Sequence, residues 1–389
     1  MSKSFARLSN TASTMRAGVF AELERHIAAH TGQGGEIIPL HIGDTYLAPP
    51  EGARVGAIVD EPSLYRYGAT AGTPELRAAI AARFELTNSL DVLLGAGGTH
   101  ALYCAARCVL DPGDEVLVCA PYWPLALGVF HQCGARSVEV PFTSRLYADP
   151  SLDAGQLLRA ALTPRTRAVY LITPNNPDGK VLTRAHLEQV ARFAHEANLW
   201  IFADEVYADV AFDAPHVSIS GLPGAHERTV TLYSFSKSRA LAGARVGFAV
   251  APKHLVAVAQ RMGVHTVFNV PVAMQRAALA ALADTTWAST ARTTYRSARD
   301  IATRALAGAD VRFSRAEGGT YLFLDFRELL DSRPLTDLLA RAIGKGVLLA
   351  PGEAFGKDYA TCARLCYTSV PTERVVEGIA RLREAMEEM

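Results

Sequence analysis

The chain has no excess of either charge: 39 basic residues stand against 39 acidic ones, for a formal net charge of +0. That balance shows nothing of the electrostatic footprint of a nucleic-acid or membrane-surface binder. No apolar run approaches the roughly 20 residues a membrane span needs. Cysteine is sparse, six in 389 residues, and no Cys-x-x-Cys occurs. Cys104/Cys108 and Cys362/Cys366 have i,i+4 spacing without the tight pairs and partner histidines of a metal site. These thiols read as small buried hydrophobes in a reduced, cytoplasmic setting, and no metal is expected. Acids are missing at the start: Met1 to Phe20 carry Lys3, Arg7 and Arg16, with none before Glu22. The same stretch lacks the apolar core of a secretory signal, so it reads as a polar arm leading into a first helix. Internal repeats and low-complexity linkers are absent too.

What remains is a large globular composition, 49 % apolar and 20 % charged, enough for two or three packed lobes. Ala17 to Ala29 is patterned as an amphipathic helix and Ile37 to Ile42 as a short extended run. Thr73 and Pro74 mark a helix start, as N-cap and first helical residue, in a helix running to about Phe84. Apolar runs at Val92–Leu94, Glu115–Cys119, Ala168–Ile172, Trp200–Ala203, Thr229–Tyr233 and Arg245–Val250 read as strands. Helical stretches such as His100–Val109 and Arg184–Ala197 separate most of them. This alternation predicts an α/β fold with a mostly parallel, doubly covered sheet, which binds ligands at the carboxyl ends of its strands. A helix-rich stretch from Val272 to Ala307 then leads, by a continuous helix, to a second lobe. There Thr320–Phe326, Val347–Ala350 and Arg364–Thr368 suggest a small sheet, closed by a helix from about Thr372.

The chemistry-bearing residues fall at predicted strand ends. Lys237 lies within Ser234-Phe235-Ser236-Lys237, and Arg245 follows in Gly243-Ala244-Arg245-Val246-Gly247. A lysine among small hydroxyls can form an imine with an aldehyde cofactor, while the hydroxyls and a fixed guanidinium hold its phosphate. Alone, such a segment is most often a surface loop; here it has company. Gly97-Gly98-Thr99 follows a strand and opens a helix, where backbone N–H groups bind phosphate. Trp123 is placed to stack on a flat ring, although a lone tryptophan is usually core. Asn175-Asn176 supplies donors within a turn. Asp204 stands where a carboxylate can pair with a protonated pyridine nitrogen, and Tyr207 lies three residues on. Together they fit a pyridoxal phosphate (PLP) enzyme.

In their order and spacing these motifs resemble a class I aminotransferase of the aspartate aminotransferase superfamily, the fold-type I PLP-dependent enzymes, from about Ile37 to the C-terminus. The resemblance implies a large PLP-binding domain (46–280), a small C-terminal domain (281–389) and an N-terminal arm contributing to the small domain (1–45). It implies that Lys237 is the Schiff-base lysine and proton carrier, and that Asp204 meets the pyridine nitrogen. Asn176 and Tyr207 would bond the phenolic oxygen, and Trp123 would stack on the ring. Gly97, Gly98, Thr99, Ser234 and Arg245 would hold the phosphate, joined by Tyr67 of a neighbouring subunit in a homodimer. Arg364 would clamp the substrate carboxylate, with Gly43, Trp123 and Asn176 beside it.

The implied reaction moves an amino group between an L-amino acid and a 2-oxo acid by a ping-pong route. Departures occur at Gly43-Asp44-Thr45, where the family often has Gly-Glu-Pro, and at Asn176-Pro177-Asp178-Gly179, where it often has Asn-Pro-Thr-Gly. No arginine for a dicarboxylate side chain can be placed around Gly263–Val267. Elimination, cyclisation or other PLP chemistry on an amino acid stays open, to be separated by the need for an added 2-oxo acid. A PLP-binding regulator is a further alternative, against which stand the few residues before Ile37 and the absence of a basic recognition helix.

Overall fold

A computed structural model describes residues 6–15, 23–86 and 90–389. Strands are numbered in chain order: β1 Ile38–Pro39, β2 Leu90–Gly95, β3 Glu115–Ala120, β4 Arg136–Pro141, β5 Thr166–Ile172, β6 Trp200–Asp204, β7 Thr229–Ser234, β8 Gly247–Pro252, β9 Tyr321–Asp325, β10 Val347–Leu348, β11 Ala350–Pro351 and β12 Cys362–Cys366. β2 to β8 form a seven-stranded sheet in the order β2-β8-β7-β6-β5-β3-β4. β8 alone runs against its neighbours β2 and β7; the other pairings are parallel.

The strands read as unbroken apolar runs because both faces are covered, as in other parallel sheets. Alternate residues go to opposite cores. Val116, Val118, Tyr170 and Phe202 pack with Ala101, Leu102 and Phe130 in one cluster. Leu117, Val169, Leu171, Ile201 and Ala203 pack with Leu187, Val190 and Ala194, from the helix Arg184–Glu196, in another. At the β2–β8–β7 end, Val92, Phe248 and Val250 pack with Leu76, Ile80, Ala277 and Ala278 from the helices Pro74–Arg83 and Val272–Ala283.

A second core is built on the antiparallel sheet β11-β12-β9. Leu322, Leu324 and Leu365 meet Leu338, Leu339, Ile379 and Leu382, and Leu23, Ile38 and Leu40 join them from the N-terminal part. The parallel pair β1–β10 ties the same parts together.

Several expectations need correction. Only the Glu24–Gly32 portion of the first helix is described; Ala17 to Glu22 lie outside the described residues. The extended run at Ile37–Ile42 shrinks to two paired residues. Thr73 does occupy the N-cap position, but its side chain makes no capping bond; the Oε1 of Gln275 accepts from its backbone N–H instead, at 2.7 Å. β4 was missed because its apolar pattern is broken by Arg136, Ser137 and Glu139, as suits a sheet-edge strand. The run Val347–Ala350 is split between two sheets. The helix joining the lobes is not continuous: Asp284 ends Val272–Ala283 and caps Thr285–Ala305 by accepting from the N–H of Trp287 at 2.9 Å.

Candidate active site

The strand register gathers one end of the sheet. Gly95 of β2 and Ser234 of β7 both sit opposite Gly247 of β8. β8 is reversed, so its first residue lies beside the last residues of its neighbours. This brings Arg245, just before β8, to the edge where β6 and β7 deliver Asp204 and Ser234. Arg245 is not in a strand as expected. It has a left-handed backbone (φ 51) after the short turn Ala242–Ala244, and Nη1 donates to the Ala242 carbonyl at 2.9 Å. Gly97 (φ +84) precedes the helix Gly98–Val109, whose start has no side-chain cap. A Cβ on Gly97 would lie 2.5 Å from Nη2 of Arg245, and one on Gly247 would lie 2.3 Å from the backbone nitrogen of Gly98. Only glycines let this guanidinium and this turn come together.

These elements surround a cavity of ≈ 300 Å³. Its walls include Gly43, Gly98, Thr99, Trp123, Asn176, Asp204, Tyr207, Ser234, Lys237, Arg245 and Arg364. Of the residues picked out in the sequence, Gly97 lies against Arg245 without lining the cavity. Tyr67 lies elsewhere: it is 84 % exposed and its ring packs on Phe268, centroids 4.7 Å apart.

Lys237 stands in the one-turn helix Phe235–Ser238, which Ser234 opens by accepting from the N–H of Ser236 at 3.1 Å. The ammonium of Lys237 donates to the carbonyl of Gly43. Asp204 is 6 % exposed. Tyr170 donates its hydroxyl to Oδ2 of Asp204 at 2.9 Å, and the N–H of Val206 lies 3.4 Å from Oδ1. Burial pushes the Asp204 carboxyl up to about 6, with the Tyr170 bond working in the opposite direction. Burial also raises the Tyr207 phenol well above its ordinary range.

Arg364 projects from β12 and is 8 % exposed. Nη1 donates to Oδ1 of Asn176 at 2.8 Å and Nη2 to the His41 carbonyl at 2.7 Å, while the buried Nε has no partner among the described residues. Its guanidinium carbon lies 4.2 Å from the ring centroid of Tyr321 and 4.9 Å from that of Phe355. Burial, then the Arg364 charge, lowers His41 to about 4. The Asp178 that departs from the family pattern accepts from Asn175 Nδ2 at 2.9 Å and the N–H of Lys180 at 3.0 Å. It therefore closes the turn that carries Asn176.

Sequence reasoning missed Tyr170, Tyr321 and the His41 carbonyl. Tyr170 left a faint signal: a tyrosine in a fully buried strand needs a partner for its hydroxyl.

Residues 36–382 match the family described as aminotransferase class I and II. The arginine–pyruvate transaminase of Pseudomonas aeruginosa is 36 % identical over 371 residues, covering 92 % of this chain and 90 % of that protein. The aspartate aminotransferase of Musicola paradisiaca is 30 % identical over 331 residues, covering 83 % and 82 %. Among solved structures, an aspartate aminotransferase of Thermus thermophilus (a single mutant) superposes with a TM-score of 0.88 at 26 % identity, covering 98 % of this chain and 100 % of that one. An aromatic aminotransferase from Pyrococcus horikoshii gives 0.84 at 27 %, covering 93 % and 99 %.

Proposed function

This chain belongs to the class I and II aminotransferases, PLP-dependent enzymes that move an amino group between an amino acid and a 2-oxo acid, and we propose that the cavity around Lys237 is where it does so. The observation that carries the proposal is convergence: a lysine, a buried carboxylate and two arginines, taken from the one-turn helix after β7, from β6, from β12 and from the turn before β8, line one cavity.

The residues present fit the cofactor. Asp204 is a buried carboxylate that makes no ion pair among the described residues, with Lys237 acting on it only through its charge, and a protonated ring nitrogen would supply a direct partner. Arg245, the uncapped helix start at Gly98–Thr99 and Ser234 form a cradle for a phosphate dianion. Asn176 and Tyr207 offer polar side chains for the phenolic oxygen, and Trp123 a flat face for the ring. When bound, PLP supplies an electron sink for the bonds at the substrate Cα.

The protein's own groups do the rest. Arg364 is held by Asn176 and the His41 carbonyl, so its planar fork is fixed before a substrate carboxylate arrives. Gly43 closes the same side through its backbone. Lys237 would hold the cofactor, and its side-chain amine is the base that would take the proton from the substrate Cα and give it back at Cα in the reverse half-reaction. Each half-reaction regenerates the other's starting form, so the kinetics are ping-pong.

The division into an arm (1–45), a large domain (46–280) and a small domain (281–389) is retained as part of this reading. So is a homodimer: Tyr65, Tyr67, Val55, Val59 and Phe268 are large apolar side chains left exposed in the monomer. Such exposure suits an interface that brings Tyr67 to the neighbour's phosphate. The six free cysteines are those expected in a reducing cytoplasm. Among the described residues no helix is long and apolar enough to cross a membrane.

The test is a spectral titration of the purified PLP-loaded protein with a panel of L-amino acids led by arginine and aspartate. Loss of the visible band with one equivalent of 2-oxo acid released supports the reading and names the donor. A band unmoved by every amino acid, or ammonia released in place of a 2-oxo acid, overturns it.

A further inference from the structure

No sequence motif carries Tyr321, yet it touches three parts of the site. Its ring lies against the Arg364 guanidinium at 4.2 Å, and its hydroxyl is 2.7 Å from that of Tyr207. A Cβ on Gly43 would fall 1.9 Å from the same hydroxyl, so the Gly43 backbone lies close against it. Tyr321 is the first residue of β9, opposite Cys366 of β12, and is 1 % exposed.

We propose that Tyr321 is a positioning residue with two separable effects. Its hydroxyl donates to Tyr207 and strengthens the hydrogen bond that Tyr207 gives the cofactor's phenolic oxygen. Its ring seats Arg364 for the substrate carboxylate. The proposal rests on the roles given above to Tyr207 and Arg364.

The direction of the hydroxyl pair follows from a count of protons. Each phenol has one. If Tyr207 gives its proton to the phenolic oxygen, the 2.7 Å contact must be made with the proton of Tyr321. A phenol that accepts a hydrogen bond becomes a better donor, because such chains polarise one another. The ring acts differently. The π face of tyrosine attracts a guanidinium, more so where water is excluded, and Phe355 lies 4.9 Å from the same carbon. An arginine held by aromatic faces has less freedom to lose when the carboxylate binds.

Four variants separate these effects: Tyr321→Phe, Tyr321→Leu, Tyr207→Phe and the double Tyr207→Phe/Tyr321→Phe. The readouts are the pH midpoint of the visible band of the PLP-loaded protein and the KM for the amino donor. A hydrogen bond to the phenolic oxygen stabilises the unprotonated chromophore, so weakening that bond raises the midpoint. Tyr321→Phe keeps the ring and is expected to raise the midpoint by about half a pH unit, with KM held within about twofold. Tyr321→Leu is expected to raise KM roughly tenfold. The double variant is expected to move the midpoint no further than Tyr207→Phe does. If Tyr207→Phe moves the midpoint while Tyr321→Phe does not, or if the two shifts add, the hydroxyl effect is overturned. An unchanged KM in a folded Tyr321→Leu protein overturns the ring effect. A midpoint unmoved by Tyr207→Phe instead strikes the Tyr207 role itself, and the hydroxyl effect falls with it.

Discussion

Nη1 of Arg364 in β12 donates to Oδ1 of Asn176, 188 residues earlier in the chain, at 2.8 Å. One bond thus joins the proposed carboxylate clamp to a residue assigned to the cofactor's phenolic oxygen. The guanidinium is also fixed by the His41 carbonyl. Lysine has three donors on a point charge and cannot reproduce this planar arrangement. Arg364→Lys is therefore expected to raise KM for the amino donor by roughly 10- to 100-fold, with a smaller effect on kcat. Steady-state kinetics check this, and an unchanged KM would remove Arg364 from the substrate site.

Lys237→Ala removes both the covalent anchor and the proton carrier. The visible absorbance should vanish and turnover should fall by about 10⁴-fold or more. Reconstitution with PLP followed by a single-turnover assay checks both. Wild-type turnover in this variant would sink the assignment.

Asp204 gives a pH dependence with a defined sign. Its carboxyl is raised by burial to about 6, so without a cationic partner it is mainly neutral below that pH and charged above it. Only the charged form pairs with a protonated ring nitrogen. The affinity of the cofactor-free protein for PLP should therefore weaken as pH falls through about 6. Asp204→Asn should bind more weakly, by roughly tenfold, and lack that step once the titration of PLP itself is subtracted. Fluorescence titration across pH 5 to 8 measures it; the same step in both proteins would assign the titration to another group.

Gly247→Ala tests the backbone contact behind the phosphate cradle. Its Cβ would lie 2.3 Å from the Gly98 nitrogen and 2.6 Å from the Gly97 carbonyl carbon. Both are backbone atoms and cannot swing aside, so about 2 kcal/mol or more of stability should be lost. Affinity of the cofactor-free protein for inorganic phosphate should fall as well. Thermal unfolding and calorimetry with phosphate read the two effects, and an unperturbed variant would show that the turn shifts freely.

Tyr67 bears on assembly. Sedimentation should give a dimer, and Tyr67→Phe should release PLP faster while leaving the dimer intact. A monomer that retains PLP as well as the wild type would end the cross-subunit reading.

Much of this was legible in the sequence because strand ends announce themselves. The apolar runs ending before Asn176, Asp204 and Ser234 place those side chains at one edge once the strands are parallel. Arg245 was identified by its motif but assigned the wrong backbone, because nothing local distinguishes a left-handed residue before β8 from the strand itself. β4 was missed because polar residues at the sheet edge interrupt the apolar run by which the other strands are recognised.

The sequence by itself determined most of the element types, the order of the motifs and the kinds of chemistry available to Lys237, Asp204 and Arg364. Those depend on residue type and on neighbours a few positions away. Tertiary structure alone decided that β8 is reversed, that Tyr170 satisfies Asp204, that Tyr321 lies between Tyr207 and Arg364, and that Gly97 and Gly247 leave room for Arg245 and Gly98. Each of these is a contact between segments far apart in the chain. Its geometry is set by packing of the whole core, and no local pattern encodes it.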